Sequence, residues 1–323
     1  MKFLNIKVIL LLFLIQTVTG QGYKIIQTPK TPWHKCWTFV YNPDSTSTRR
    51  YPAILFFHGR GAAGTDSARL VGESLPKMIK GGFIPQAIDP VTGQLEKFIV
   101  IAPQDPNWSP GPDETNYIVN WLVKNTKIHV DTNRVYATGL SAGGGRSLMY
   151  AVYDSLAVRK VAAVVTMSPA ADPDPYMKNF KYLVRDQVPV WFYAGSQVGD
   201  GDKRANAERY IKEFQRAKDS IANLRLPPVV SNYWLQLFDG GHCCWDPMFK
   251  GDVKTAWNGR QLNMYEWFLL WSKGIEPTLE PPSPGTDVIC IDGLNKLKRM
   301  VLLYSDGSFK EYDSTMLKSL IPK

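Results

Sequence analysis

The chain has 323 residues and a formal charge of +9, which becomes +7 once the two lysines of an N-terminal leader are discounted. Its lysines and arginines are dispersed, with no basic block beyond KLKR near the C-terminus, so the excess calls for no nucleic-acid partner; acidic glycans or wall surfaces suit it equally. There is no internal repeat, and the one low-complexity run is proline-rich and late.

Residues 1–20 read as a signal peptide: Lys2 and Lys7, the apolar run VILLLFLI, and a small-residue site at Val18 and Gly20 before Gln21. That apolar run is well short of the roughly 20 residues that span a bilayer, and no early cysteine offers a lipid attachment point. A secreted or periplasmic protein with no stable membrane insertion after cleavage is expected, with a catalytic domain over residues 21–274.

The strand-like YPAILFFHG leads into the glycine-rich turn FFHGRGAAG. Gly59, Gly61 and Gly64 let backbone approach a substrate carbonyl, and the N–H of Arg60 or Gly61 is placed to donate to an oxyanion. The turn lacks both the Gly-Lys-Ser/Thr ending of a phosphate loop and dinucleotide spacing, so no nucleotide or other cofactor is expected. His58 is positioned to brace this loop, His129 suits a solvated or capping role between a helix and a strand, and His34 has no evident partner.

RVYATGLSAGGGRSLMYA, residues 134–151, reads as strand, cramped turn and helix with Ser141 at the apex. Arg134 to Thr138 alternates as a buried strand does, and Arg146 to Tyr153 has helical apolar spacing. Gly139 and Gly143 stand where a Cβ would collide as strand and helix close on each other. This is the pattern of a nucleophile elbow, in which strain lifts the serine hydroxyl clear of the sheet. The second oxyanion donor is then the N–H of Ala142.

A triad acid should lie between Ser141 and its base. The loop SQVGDGDKR after the strand VPVWFYAG offers Asp200 and Asp202. Asp200 is preferred because it is nearer the strand end; Asp202, one position before the helix KRANAERYIKEFQRA, is suited to capping it. Asp172 and Asp174, after VAAVVTMSP, are the fallback. The base is His242, in the loop LFDGGHCCWDP beyond SNYWLQLF.

Cys36, Cys243, Cys244 and Cys290 are an even count in an exported chain, which favours disulfides over metal binding. Three pairings are open: Cys243 with Cys244, or cross-links from this pair to Cys36 and Cys290 that would clamp the histidine loop. A proline-rich linker, residues 275–287, follows the helix NMYEWFLLWSK. Residues 288–323 read as a small β-rich extension, with VICIDG and RMVLLYSDGSFKEYD alternating about a Ser-Asp-Gly turn. Trp108 and Trp245 fall in loops at the active edge and are candidate substrate contacts, whereas Trp121, Trp191 and Trp267 read as core.

The segments YPAILFFHGRGAAG, FIVIAPQDPNW, VDTNRVYATGLSAGGG, VPVWFYAGS, FDGGHCCWDPMF and NMYEWFLLW, in that order, resemble secreted α/β-hydrolase esterases. The branch groups predicted peptidases and esterases with feruloyl esterase and polyhydroxybutyrate-depolymerase-like enzymes, and the resemblance covers residues 38–274. It implies an α/β-hydrolase fold, a mostly parallel sheet with helices on both faces, with Ser141 as nucleophile, His242 as base, and Arg60 and Ala142 as oxyanion donors. The family places its acid three residues after the glycine ending the strand; here that residue is Val198, and a loop two residues longer would bring in Asp200. The implied activity is carboxylic-ester hydrolysis, with acetyl or feruloyl esters of polysaccharides as substrates. A serine peptidase or polyester depolymerase with the same triad is the alternative, and a noncatalytic binding protein with a decayed triad the other.

Overall fold

A computed structural model describes residues 22–31, 34–156, 160–197, 201–222, 233–257, 259–273, 299–303 and 309–313. The leader, the proline-rich linker, VICIDG, Val198 and Asp200 lie outside these residues. The main sheet has eight strands: β1 (Tyr23–Pro29), β2 (Lys35–Tyr41), β3 (Tyr51–Phe57), β4 (Ile99–Pro103), β5 (Val130–Leu140), β6 (Ala163–Met167), β7 (Val190–Gly195) and β8 (Tyr233–Phe238). Their spatial order is β1-β2-β4-β3-β5-β6-β7-β8. Only β2 is antiparallel to its neighbours, so the other seven strands share one direction.

All seven residues of β3 and all five of β6 are buried, as expected for parallel strands covered on both faces. The two-residue period sorts their side chains between two cores. Ala53, Leu55 and Phe57, with Val190 and Phe192, point to the side covered by α2 (Pro112–Asn125), α3 (Ala142–Val152), α4 (Phe180–Arg185) and α5 (Gly201–Ala222). Ile54, Phe56, Trp191 and Tyr193 point to the other side, under α1 (Ser74–Lys80), α6 (Asp246–Lys250) and α7 (Met264–Leu269). At about 1.5–3 kcal/mol for each large apolar side chain fully buried, these two layers supply most of the drive to fold. This is the α/β-hydrolase architecture.

Much of the tryptophan is used in packing. Trp191 and Trp267 have no exposed surface, and with Trp234, Trp257 and Trp271 they form one aromatic cluster with centroid separations of 5.0–6.3 Å. Trp121 is half-buried against the opposite core.

Three elements were not anticipated: the β1–β2 pairing, the hairpin of Gln86–Ile88 with Leu95–Lys97, and the hairpin of Lys254–Trp257 with Arg260–Asn263. The expected late hairpin is present as Arg299–Leu303 paired with Phe309–Asp313, with Leu303 opposite Phe309. Helix α5 starts at Gly201, so Asp202 lies inside its first turn rather than ahead of it. Among the described residues no helix is long and apolar enough to cross a membrane.

Candidate active site

Parallel strands bring their C-terminal ends to one edge, and six loops meet there. They are the loop after β3 with Arg60, after β4 with Trp108, after β5 with Ser141, after β6 with Asp172, after β7 and after β8 with His242.

Ser141 joins β5 directly to α3 with φ 55° and ψ −119°, a conformation that costs an L-residue energy and persists only where the surroundings over-determine it. They do so here. A Cβ on Gly139 would fall on the Gly143 and Phe57 carbonyl oxygens, one on Gly143 on the Phe57 oxygen, and one on Gly144 on the Met167 oxygen. The Ser141 N–H donates to Met167 O at 2.9 Å, and Ser141 O accepts from Ala170 N–H at 3.1 Å. The turn is thereby fixed between β3 and β6.

The His242 Nε2 lies 2.8 Å from Ser141 Oγ across 101 residues of sequence. With the proton on Nδ1, Nε2 accepts from the serine hydroxyl and is placed to take its proton. Trp245 meets the imidazole edge-on, with centroids 5.0 Å apart, and its Nε1–H donates to Ser168 Oγ at 3.3 Å. Ser168 is fully buried with φ 44°, and its N–H donates to Tyr193 O at 2.7 Å. Trp245 is therefore a wall of the histidine loop fixed to the end of β6.

The loop after β3 is braced from several directions. His58 Nδ1–H donates to Gly59 O at 2.8 Å while Nε2 accepts from the Asp105 N–H at 3.1 Å, which fixes the tautomer. Burial holds this imidazole below its ordinary pKa. The Glu73 Oε1 accepts from the Gly59 N–H at 3.0 Å, and burial raises the pKa of that carboxyl. Gln104 Nε2 donates to both Ala62 O and Asp66 O. Arg60 then opens a single 3₁₀ turn, Arg60–Ala62, and Ala142 opens α3, whose first-turn N–H groups have no intrahelical acceptors. Glu73 could not be singled out in the sequence, because an isolated glutamate before a short helix carries no pattern.

Of the four proposed acids, Asp172 and Asp174 have described side chains. Asp200 lies outside the described residues, and of Asp202 only the backbone is described. Asp174 pairs with Arg209 at 2.6 Å and accepts from the Tyr210 hydroxyl at 2.8 Å. Asp172 accepts from Trp108 Nε1–H at 2.6 Å and lies 3.7 Å from Arg146 Nε. The fallback carboxylates thus face other partners than His242.

Cys243 and Cys244 are bonded to each other. Cys36 is free, with its thiol pKa raised by burial beside Thr28 and Thr38, so the clamp from the histidine loop to Cys36 is not formed; Cys290 lies outside the described residues. Both members of the cystine are exposed, as is His242. Among the described residues no group of three His, Cys, Asp or Glu could hold a metal ion.

No family model and no curated protein matches the chain. Solved structures with a similar backbone include a ferulic acid esterase, 17% identical, TM-score 0.43, covering 69% of this chain and 93% of its own. A fluorophosphonate-binding serine hydrolase F of Staphylococcus aureus is 13% identical, TM-score 0.46, with 77% and 99% covered. An acylaminoacyl peptidase of Pyrococcus horikoshii is 10% identical, TM-score 0.48, with 82% and 44% covered.

Proposed function

We propose that the protein is a secreted serine hydrolase that cleaves carboxylic esters through an acyl-enzyme, with acetyl or feruloyl esters of polysaccharides as substrates. The observation that carries this reading is Ser141 Oγ, presented by a strained turn, 2.8 Å from His242 Nε2. Serine attacks the ester carbonyl as its proton passes to Nε2, and the negative charge develops on the former carbonyl oxygen. The N–H groups of Ala142 and Arg60 receive that oxyanion. Collapse breaks the bond to the alcohol, which leaves with the proton from Nε2; water then repeats the sequence on the acyl-enzyme with His242 as base. Asp200, or failing it Asp202, orients the imidazole from Nδ1 and stabilises its cation. The leader-like N-terminus and the cystine support an oxidising, extracellular setting.

A fluorophosphonate should modify Ser141, found by mass mapping. Ser141→Ala should lower p-nitrophenyl acetate turnover by about 10⁶. Retention of most activity by that variant would overturn the reading, and wild-type protein inert to every ester would favour the noncatalytic one. Acetylated and feruloylated sugars run against peptides would separate esterase from peptidase.

A further inference from the structure

Asp172 stands on the loop after β6, yet two other segments, the loop between β4 and α2 and helix α3, converge on its carboxylate. Its Oδ2 accepts from the Trp108 indole N–H at 2.6 Å, a charge-assisted bond from the loop between β4 and α2. The same oxygen lies 3.7 Å from Arg146 Nε on α3, five residues past the nucleophile. Its Cβ sits so close to α3 that a side chain on Gly145 would meet it at 3.1 Å. On the other side, the Arg60 guanidinium lies 5.8 Å from the Trp108 ring centroid, and Arg60 is the residue whose N–H is assigned to the oxyanion. The indole therefore stands between the oxyanion loop and α3, half-buried, with part of its surface open to solvent.

An indole on an exposed loop sheds rotamer freedom when it binds a ligand, unless a partner has already fixed it. Asp172 is that partner. Burial raises the carboxyl pKa, while the Trp108 N–H and the Arg146 charge favour the ionised form.

We propose that Asp172 is a positioning residue that locks the Trp108 indole as a wall of the substrate groove beside the oxyanion loop, favouring esters whose acyl group carries a flat ring. The proposal rests on the ester-hydrolase reading above. A fixed indole face offers an offset stack to an aromatic acyl group and little to an acetyl group.

The test compares Asp172→Ala, Asp172→Asn, Trp108→Phe and the Asp172→Ala/Trp108→Phe double variant. Kinetics are measured on p-nitrophenyl acetate and methyl ferulate, and ferulic acid binding to each variant in the Ser141→Ala background is measured by calorimetry. Asp172→Ala and Trp108→Phe should each raise KM for methyl ferulate about tenfold while changing kcat far less, so that selectivity over the acetate falls. Asp172→Asn keeps an acceptor oxygen and should recover most of the loss. The double variant should be no worse than either single one, since both remove the same bond. Ferulic acid binding should weaken by a similar factor. Equal loss of kcat on both esters with KM unchanged, or additive losses in the double variant, would overturn the proposal. If Asp172→Ala does not fold, Trp108→Phe decides alone: unchanged KM and unchanged binding would refute the wall. Wild-type protein that cleaves no ester but binds ferulic acid in an Asp172-dependent way would overturn the hydrolase reading and leave the wall standing. Ester cleavage with binding insensitive to Asp172 would do the reverse.

Discussion

On the serine side of the catalytic pair, geometry is set by backbone against backbone: Gly139, Gly143 and Gly144 leave no room for a methyl group between β3, β5 and β6. On the histidine side, an exposed loop is held by a few contacts. Gln197 N–H donates to Gly240 O at 3.0 Å, Cys243 N–H to Gly241 O at 2.9 Å, the cystine ties neighbours, and Trp245 reaches Ser168. The first arrangement is part of the sheet's own backbone packing; the second rests on contacts made at one exposed loop. The proposed function suits the asymmetry, because a base on an exposed loop leaves room for the ester and its departing alcohol.

Gly143→Ala should break the serine side outright. The added methyl meets the Phe57 carbonyl, which cannot move without tearing β3 from the sheet, so a loss above about 4 kcal/mol is expected, read as absent or steeply lowered thermal unfolding. The histidine side should respond in activity instead. Asp200→Asn should lower kcat by about 10⁴ with an unchanged melting temperature, and Asp202→Asn far less. The opposite ranking moves the acid to Asp202.

Mild reduction of the cystine, or Cys243→Ser with Cys244→Ser, should sharpen the contrast. Misplacing His242 by a fraction of an ångström costs about 10- to 100-fold in turnover, and this loss should precede any change in the thermal transition. Thiol mapping that finds Cys243 and Cys244 free in the native protein would remove this mechanism. The smallest effect concerns His58. Its imidazole is held neutral by burial, so its pKa is lower folded than unfolded. The unfolded chain then binds the extra proton as pH falls below the ordinary value of about 6.5, and stability present above that pH is lost below it. His58→Gln should show a shallower fall in melting temperature between pH 7.5 and 5.5 than the wild type.

The serine side was legible because glycine spacing is a direct record of backbone conformation: Gly139, Ser141 and Gly143 state where a Cβ cannot be. His242 was legible by elimination among four histidines and by its place after a strand, and His58 by its position in the loop that it braces. The β1–β2 pair was not legible, because its connection carries no tight-turn dipeptide and its strands are only partly buried. Glu73 was missed because a half-buried brace for one N–H leaves no periodic trace. The cystine stayed open among three pairings because adjacent residues, with Cα atoms 3.8 Å apart, fall inside the usual minimum of about 4.4 Å for a bridged pair. Asp202 was placed ahead of α5 rather than within it, an error of one turn's edge at a boundary where helix ends are least certain.

The five clustered indoles have an optical consequence. Trp191 and Trp234 lie on β7 and β8, the strands followed by the loops of Gln197 and His242, and Trp257, Trp267 and Trp271 close over them. Among the described residues none of the five ring N–H groups meets an oxygen or nitrogen acceptor, and several rings meet edge to face. Indoles this close couple their electronic transitions, and the four buried ones, Trp191, Trp257, Trp267 and Trp271, emit at short wavelength. Near-ultraviolet dichroism and emission colour therefore report the platform beneath the histidine loop, so a variant that loses turnover with both signals intact has lost the loop and not its foundation.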